Sequence, residues 1–298
     1  MYVDSHVHLQ PHSAKPPPSM DLERIKLFVE AAQANGVEKI ALTEHVFRFR
    51  EAFELLHGWW QEDANRELSA TVQAYWQDHV SGDLASYVHV IEEAKSAGLP
   101  VLLGLELDWI PGRADDLRAL LEPYDWDVVL GSVHWIGAWS IDSEHSEVDM
   151  AEWEHRDVDD VFETYVGMLR DAAETGLFDV LAHPDLPKLH GHRPARISPI
   201  HEALVEAGAA GACAVELNSN GYNKPVREAY PALPVVEGAR AAGLPITLAS
   251  DAHTPDRVGE RFDDLAALAT QAGYAEFTWF EARKPSAAAL PASVGRTT

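Results

Sequence analysis

The chain has 298 residues, 46% hydrophobic and 24% charged, which is enough apolar material for a sizeable core and excludes wholesale disorder. Its 48 acidic residues against 23 basic ones give a formal charge of −25, a field that repels polyanions and excludes general affinity for nucleic acid or anionic lipid. Cys213 is the single cysteine, so an internal disulfide and a thiolate zinc site are excluded; no apolar run of about 18 residues marks a membrane span or a leader, and the expectation is a cytoplasmic protein.

In chain order, Tyr2 to His8 reads as a short strand closed by Gln10-Pro11, and Lys15 to Pro18 as a proline-rich loop. Leu22, Ile25, Phe28, Val29 and Ala32 form a helical apolar stripe, with Ser19 or Asp21 able to cap it and Gly36 placed to end it. A repeated phrase follows, in which a glycine closes a helix, an apolar run comes next, and a carboxylate stands eight positions after the glycine: Gly36 to Glu44, Gly98 to Glu106, Gly208 to Glu216 and Gly243 to Asp251. The seven apolar strands are Tyr2-His8, Val37-Thr43, Pro100-Leu107, Trp126-Val133, Phe178-Ala182, Ala212-Leu217 and Leu244-Ser250. Strands alternating with helices predict parallel βαβ units, and this number closes more readily as a distorted α/β barrel than as an open sheet. One domain over residues 1–284 is expected, with a helical insertion at about 46–86 over the barrel mouth and a mobile alanine-, serine- and proline-rich tail over 285–298.

The chemistry lies at the strand ends. His6 and His8, two apart on an extended backbone, point to one side and can reach one ion, although an isolated H-x-H is weak evidence. The other strands end in Glu44/His45, Glu106, His134, His183, Glu216/Asn218 and Asp251/His253. In a parallel barrel the strand ends of one face converge, so these side chains are expected in one pocket. Glu106, between Leu105 and Leu107, needs a cation to offset burial of its charge. His12 is either a ligand or a loop residue; His57, His79, His89, His145, His155, His190 and His201 read as surface histidines. Imidazole and carboxylate without thiolate suit zinc, manganese or iron without choosing among them, and the nine ligand candidates are enough for two or three ions. Closely spaced ions lower the pKa of a bridging water and clamp the oxygens of an in-line displacement, which points to phosphoester hydrolysis. Arg193, on the loop after the fifth strand, reads either as a bidentate phosphate contact or as a surface ion pair.

The segments Asp4-Ser5-His6-Val7-His8, Thr43-Glu44-His45, Gly104-Leu105-Glu106, Gly131-Ser132-Val133-His134-Trp135, Ala182-His183-Pro184-Asp185 and Ser250-Asp251-Ala252-His253 resemble the polymerase-and-histidinol-phosphatase (PHP) superfamily, in its order. The resemblance implies a distorted (β/α)7 TIM-like barrel with a trinuclear metal centre. One ion would be held by His6, His8, Glu106 and Asp251, a second by Glu106, His134 and His183, and a third by His12, His45 and His253. Glu44 or Asp185 are alternatives for completing the third set. Within the superfamily the chain is most similar to the histidinol phosphatases, through Gly104 to Gly112, Phe178 to His183 and the stretch from Glu216-Leu217-Asn218 through Lys224-Pro225 to Tyr230-Pro231. Asn223 stands where that family usually has an arginine. The implied reaction is hydrolysis of L-histidinol phosphate, with Glu106, Asp251 and His253 as catalytic residues, Arg193, Asn218 and Lys224 contacting substrate, and two or three divalent ions as cofactors. Another small phosphate ester is the alternative substrate; a nuclease would need a basic groove, and an amidohydrolase would leave His45 and His253 unexplained.

Overall fold

The computed structural model describes residues 1–12 and 15–291. Strands β1 (Tyr2–Val7), β2 (Val37–Leu42), β3 (Val101–Asp108) and β4 (Val128–Ser132) are followed by a small hairpin of β5 (Trp135–Ile136) and β6 (Trp139–Ser140). Then come β7 (Val180–Leu181), β8 (Ala214–Asn218) and β9 (Ile246–Ala249). The sheet order is β1-β2-β3-β4-β7-β8-β9, all parallel, and each pair is adjacent in the barrel sequence. The last strand returns to the first: Asp251 N donates to His6 O at 3.0 Å and His8 N to Ala252 O at 2.8 Å, closing the barrel as the strand count predicted. Closure removes the exposed edges and turns the strands' C-terminal ends toward one rim.

Helices α1 (Leu22–Ala34), α2 (Arg50–Leu56), α3 (Arg66–His79), α4 (Leu84–Ser96) and α5 (Ala114–Leu121) lie outside the first half of the barrel. The second half carries α6 (Glu147–Glu152), α7 (Val158–Glu174), α8 (Ile197–Gly211), α9 (Leu233–Ala241) and α10 (Phe262–Gln271). In α7, Val161, Phe162, Tyr165, Met168, Leu169 and Ala172 bury one face, and Asp157 caps the start by accepting from Asp159 N and Asp160 N. Of the two expected caps of α1, Asp21 is the one used; it accepts from Arg24 N at 2.9 Å.

Two sequence expectations concern segments outside the strands. Residues 46–86 form helices: α2, α3 and the start of α4, with Trp60 and Trp76 fully buried and Asp63 Oδ2 accepting from Ala138 N at 2.9 Å. This bond ties the insertion to the β5–β6 hairpin. The expected loose tail is corrected in part, because β10 (Glu276–Glu281) pairs antiparallel with β11 (Lys284–Ala289). The small residues of β11 carry no alternation of their own; the apolar side chains come from Phe277 and Phe280 of the partner strand, so the pairing leaves no periodic mark on 285–289. The remainder of that expectation, 292–298, lies outside the described residues.

Candidate metal centre

Alternation on β1 puts Asp4, His6 and His8 on the inner face, and on β3 it does the same for Glu106 and Asp108; all five are buried. His183 and Asp251 stand where β7 and β9 turn into their loops, with φ of 27° and 54°, a left-handed backbone uncommon for non-glycine residues. Side-chain direction at these two positions is held against local backbone preference by the surrounding fold.

Three groups of donors meet around Glu106. In the first, His6 Nε2 and His8 Nε2 are 2.9 Å apart; they lie 3.5 and 3.6 Å from Glu106 Oε2, and 3.9 and 3.4 Å from Asp251 Oδ1. In the second, Glu106 Oε1 is 3.0 Å from His183 Nε2 and 3.5 Å from His134 Nε2. In the third, His45 Nε2 is 3.2 Å from His12 Nε2 and 3.3 Å from His253 Nε2. The two oxygens of one carboxylate thus face two different groups, while His45 links the third to them, its Nδ1 2.6 Å from Glu106 Oε2.

These contacts fit cations better than they fit hydrogen bonds. Between two imidazole nitrogens at most one proton can be shared, yet three such pairs crowd together. His45 Nδ1 and Glu106 Oε2, despite their closeness, are not aligned for a hydrogen bond, and both are buried without a partner, as is His183 Nδ1. Donors of this kind, nitrogen and carboxylate oxygen without sulfur, suit zinc, manganese or iron. Among the described residues, His6/His8/Asp251, His8/His45/His253 and His45/Glu106/His134 each bring three ligand atoms within 4.8 Å of one another.

The charges are arranged accordingly. Burial works to raise the pKa of Glu106, but the imidazoles of His45, His6 and His134 and the bond to His183 outweigh it and hold the carboxyl well below its ordinary range. Burial works against protonation of His134, yet Asp108 and Glu106 outweigh it and lift the imidazole to about 10. Burial and then the neighbouring His8 push His253 down to about 3, so its ring is neutral and offers a lone pair.

A second layer of residues fixes the rings: Glu44 and Glu216, expected in the pocket as strand-end residues, and Asp108, which the sequence reading did not assign. His6 Nδ1 meets Glu216 at 3.0 Å, His8 Nδ1 meets Glu44 at 3.4 Å, and His134 Nδ1 meets Asp108 at 2.6 Å. Such carboxylates set the tautomer that leaves Nε2 free for an ion. Asp108 was findable, being two residues beyond Glu106 on the same strand face. Glu44 serves His8 and accepts from Leu9 N and Gln10 N at 3.0 and 3.1 Å, and Asp185 pairs with Lys188 at 2.8 Å, so neither joins His12, His45 and His253.

The expected substrate contacts divide. Asn218 is buried in the site, its Nδ2 donating to Glu216 Oε1 at 2.6 Å and to Asp251 Oδ2 at 3.4 Å, which makes it a support for carboxylates. Lys224 is paired with Glu144. Arg193 is not brought to the histidines: it bonds Glu228 at 2.7 Å and lines a separate cavity of about 360 Å³ with Phe162, Ile200 and Leu204. One expected surface histidine, His79, is instead buried beneath Tyr75, with ring centroids 3.9 Å apart, because the insertion folds its helix onto the rim.

Comparison with known proteins gives the family and the fold. A "Probable histidinol-phosphatase" of Deinococcus radiodurans is 40% identical over 178 residues, which are 59% of this chain and 66% of the relative; just under two thirds of that relative's length is therefore matched. A histidinol phosphate phosphatase of Lactococcus lactis, whose crystal structure holds zinc, L-histidinol and phosphate, superposes with a TM-score of 0.64 at 19% identity, covering 96% of this chain and 98% of that one. A candidate histidinol phosphatase of Listeria monocytogenes gives 0.68 at 18% identity, covering 88% and 99%. Both share the barrel fold. No described helix is long and apolar enough to cross a membrane. The PHP domain model matches residues 8–220, most of the barrel, and the chain belongs to the PHP domain family.

Proposed function

We propose that the protein is a metal-dependent phosphomonoesterase that hydrolyses L-histidinol phosphate to L-histidinol and phosphate. The carrying observation is the meeting of three donor groups around Glu106, whose two oxygens face different groups. His6, His8 and Asp251 would hold one ion with Glu106, His134 and His183 a second with Glu106, and His12, His45 and His253 a third. Bound together, such ions lower the pKa of water and neutralise the oxygens of a transferring phosphoryl group. The 40% identical Deinococcus protein supports the choice of substrate.

The protein's own groups do the rest. Glu216, Glu44 and Asp108 hold the imidazoles of His6, His8 and His134 in place. Asn218 and Asn220 donate to Asp251 Oδ2 at 3.4 and 3.2 Å and keep that carboxylate turned inward. Asn220 in turn accepts from Arg257 Nη2 at 3.4 Å, and Arg257 shares Glu260 with Asn223, whose Nδ2 donates to it at 3.1 Å. Arg257, joined to Asp251 through Asn220, is therefore a cation beside the donor groups to which a phosphate oxygen could be directed. Asp142, whose charge acts on His134 and which among the described residues accepts a side-chain hydrogen bond from Ser140 alone, suits the ammonium of an amino alcohol ester.

The test is phosphate release from histidinol phosphate beside a panel of small phosphoesters, after loading with zinc or manganese. The expected result is a kcat/KM for histidinol phosphate at least about tenfold above the others; equal turnover of unrelated esters would leave only the general phosphatase, and no turnover with metal bound would reject both.

A further inference from the structure

Besides its bond to the β5–β6 hairpin, the insertion after β2 makes several contacts to the loop that carries His12. His12 sits on the loop after β1; His45 and His253 also lie beyond their strands, but His45 bridges Glu106 of β3 and His253 follows Ala252, which bridges Val7 of β1, whereas among the described residues no such bridge holds His12. The insertion holds that loop from several points. Arg48 Nη2 donates to Pro11 O at 3.2 Å, Ser81 Oγ donates to Gln10 Oε1 at 2.6 Å, and Lys15 pairs with Asp78 of α3 at 3.0 Å. The fourth contact is to the imidazole itself: the Tyr75 hydroxyl of α3 lies 3.1 Å from His12 Nδ1.

Tyr75 is itself fixed in place. Its ring stacks on His79 at 3.9 Å and packs edge-on against Phe47 at 5.2 Å, and Phe47 stacks on His45 at 4.6 Å. The helix beneath is pinned by Ser69 Oγ, which donates to Trp60 O at 2.8 Å, and capped by Asn65, which accepts from Glu67 N and Leu68 N. With His12 Nε2 directed at His45 and His253, the ring proton belongs on Nδ1, where it is donated to the phenol oxygen. Tyr75 therefore does for His12 what Glu216, Glu44 and Asp108 do for histidines on the strands.

We infer that the helical insertion builds the third ion site, with Tyr75 as the residue that positions His12. The inference rests on the three-ion reading above. It also predicts a division of labour: the strands alone hold the first two ions, and the third depends on α3.

The experiment titrates metal-free wild type and Tyr75→Phe with zinc, reading bound ions per chain by elemental analysis after equilibrium dialysis, and affinities by calorimetry. Phenylalanine keeps the ring and its packing and removes only the oxygen. The expected result is three ions on wild type, and on Tyr75→Phe two ions at wild-type affinity with the third weakened by about ten- to a hundredfold, at an unchanged melting temperature. Asp108→Asn serves as the contrast, weakening the second ion and sparing the third. Three ions of wild-type affinity on Tyr75→Phe would overturn the role of Tyr75 while leaving the three-ion reading intact. A wild-type protein that takes no more than two would overturn both.

Discussion

Glu106 shows how one side chain can organise a site assembled from six strands' ends. It is fully buried, and each oxygen faces imidazoles from different parts of the chain. Glu106→Gln keeps the shape but replaces one oxygen by a donor nitrogen that cannot ligate. Turnover is expected to fall by about a thousandfold or more with reduced zinc content, measured side by side with circular dichroism to confirm the fold; retention of both metal and rate would remove Glu106 from the centre of the proposal. Asp142 tests substrate choice in a different way, because the group it would meet is the substrate's ammonium. Asp142→Asn should raise KM for histidinol phosphate about ten- to a hundredfold, the weight of one charge-assisted bond, and leave KM for an ester without an amine where it was. An equal rise for both esters would mean that Asp142 acts on the metal centre through His134 and does not recognise the ammonium.

At the level of elements, close approach explains the glycines of the motif strands. A Cβ at Gly131 on β4 would lie 2.7 Å from Cγ of Phe178, the residue just before β7. Gly131→Ala is expected to cost about 1–3 kcal/mol through overpacking, seen as a lower melting temperature, and because β4 leads directly to His134 the second ion should weaken as well. An unchanged melting temperature would mean that Phe178 can turn aside without cost. Most of the strand-borne site was readable without coordinates, since strict alternation decides which side chains face inward and the repeated glycine-strand-carboxylate phrase decides where each strand stops. What was not readable depends on contacts between segments far apart in the chain. Tyr75 meets His12 across 63 positions and Glu216 meets His6 across 210, and neither pair shares an element or a period. Arg193 was left between two readings for a related reason: a loop after a barrel strand can run toward the rim or back along the helices, and the ion pair, with Glu228 at 2.7 Å, is the reading the structure has. The β11 segment was missed because its side chains are small and its strand character comes from its partner.

For the molecule as a whole, the charge of −25 and the buried cluster lead to the same requirement for cations. Glu44, Glu106, Asp108, Glu216 and Asp251 are gathered within one barrel mouth, and Glu44, Glu106 and Asp251 have pKa values held below the ordinary range by imidazoles that must give up their protons to ligate. Divalent ions would replace those protons as the counter-charge, and ions bound to the folded chain alone would stabilise it by linkage. At a free concentration a hundred times Kd, each ion contributes about 2.7 kcal/mol. With an unfolding entropy of about 2.1 cal/mol/K per residue, that corresponds to roughly 4–5 °C for a chain of this length. Removing the ions with a chelator should therefore lower the melting temperature by this amount per ion lost and abolish phosphate release, and adding back zinc or manganese should restore both in parallel. Loss of activity without any thermal shift would place the functional metal outside this cluster, since no ion bound by these buried groups can leave the stability of the fold untouched.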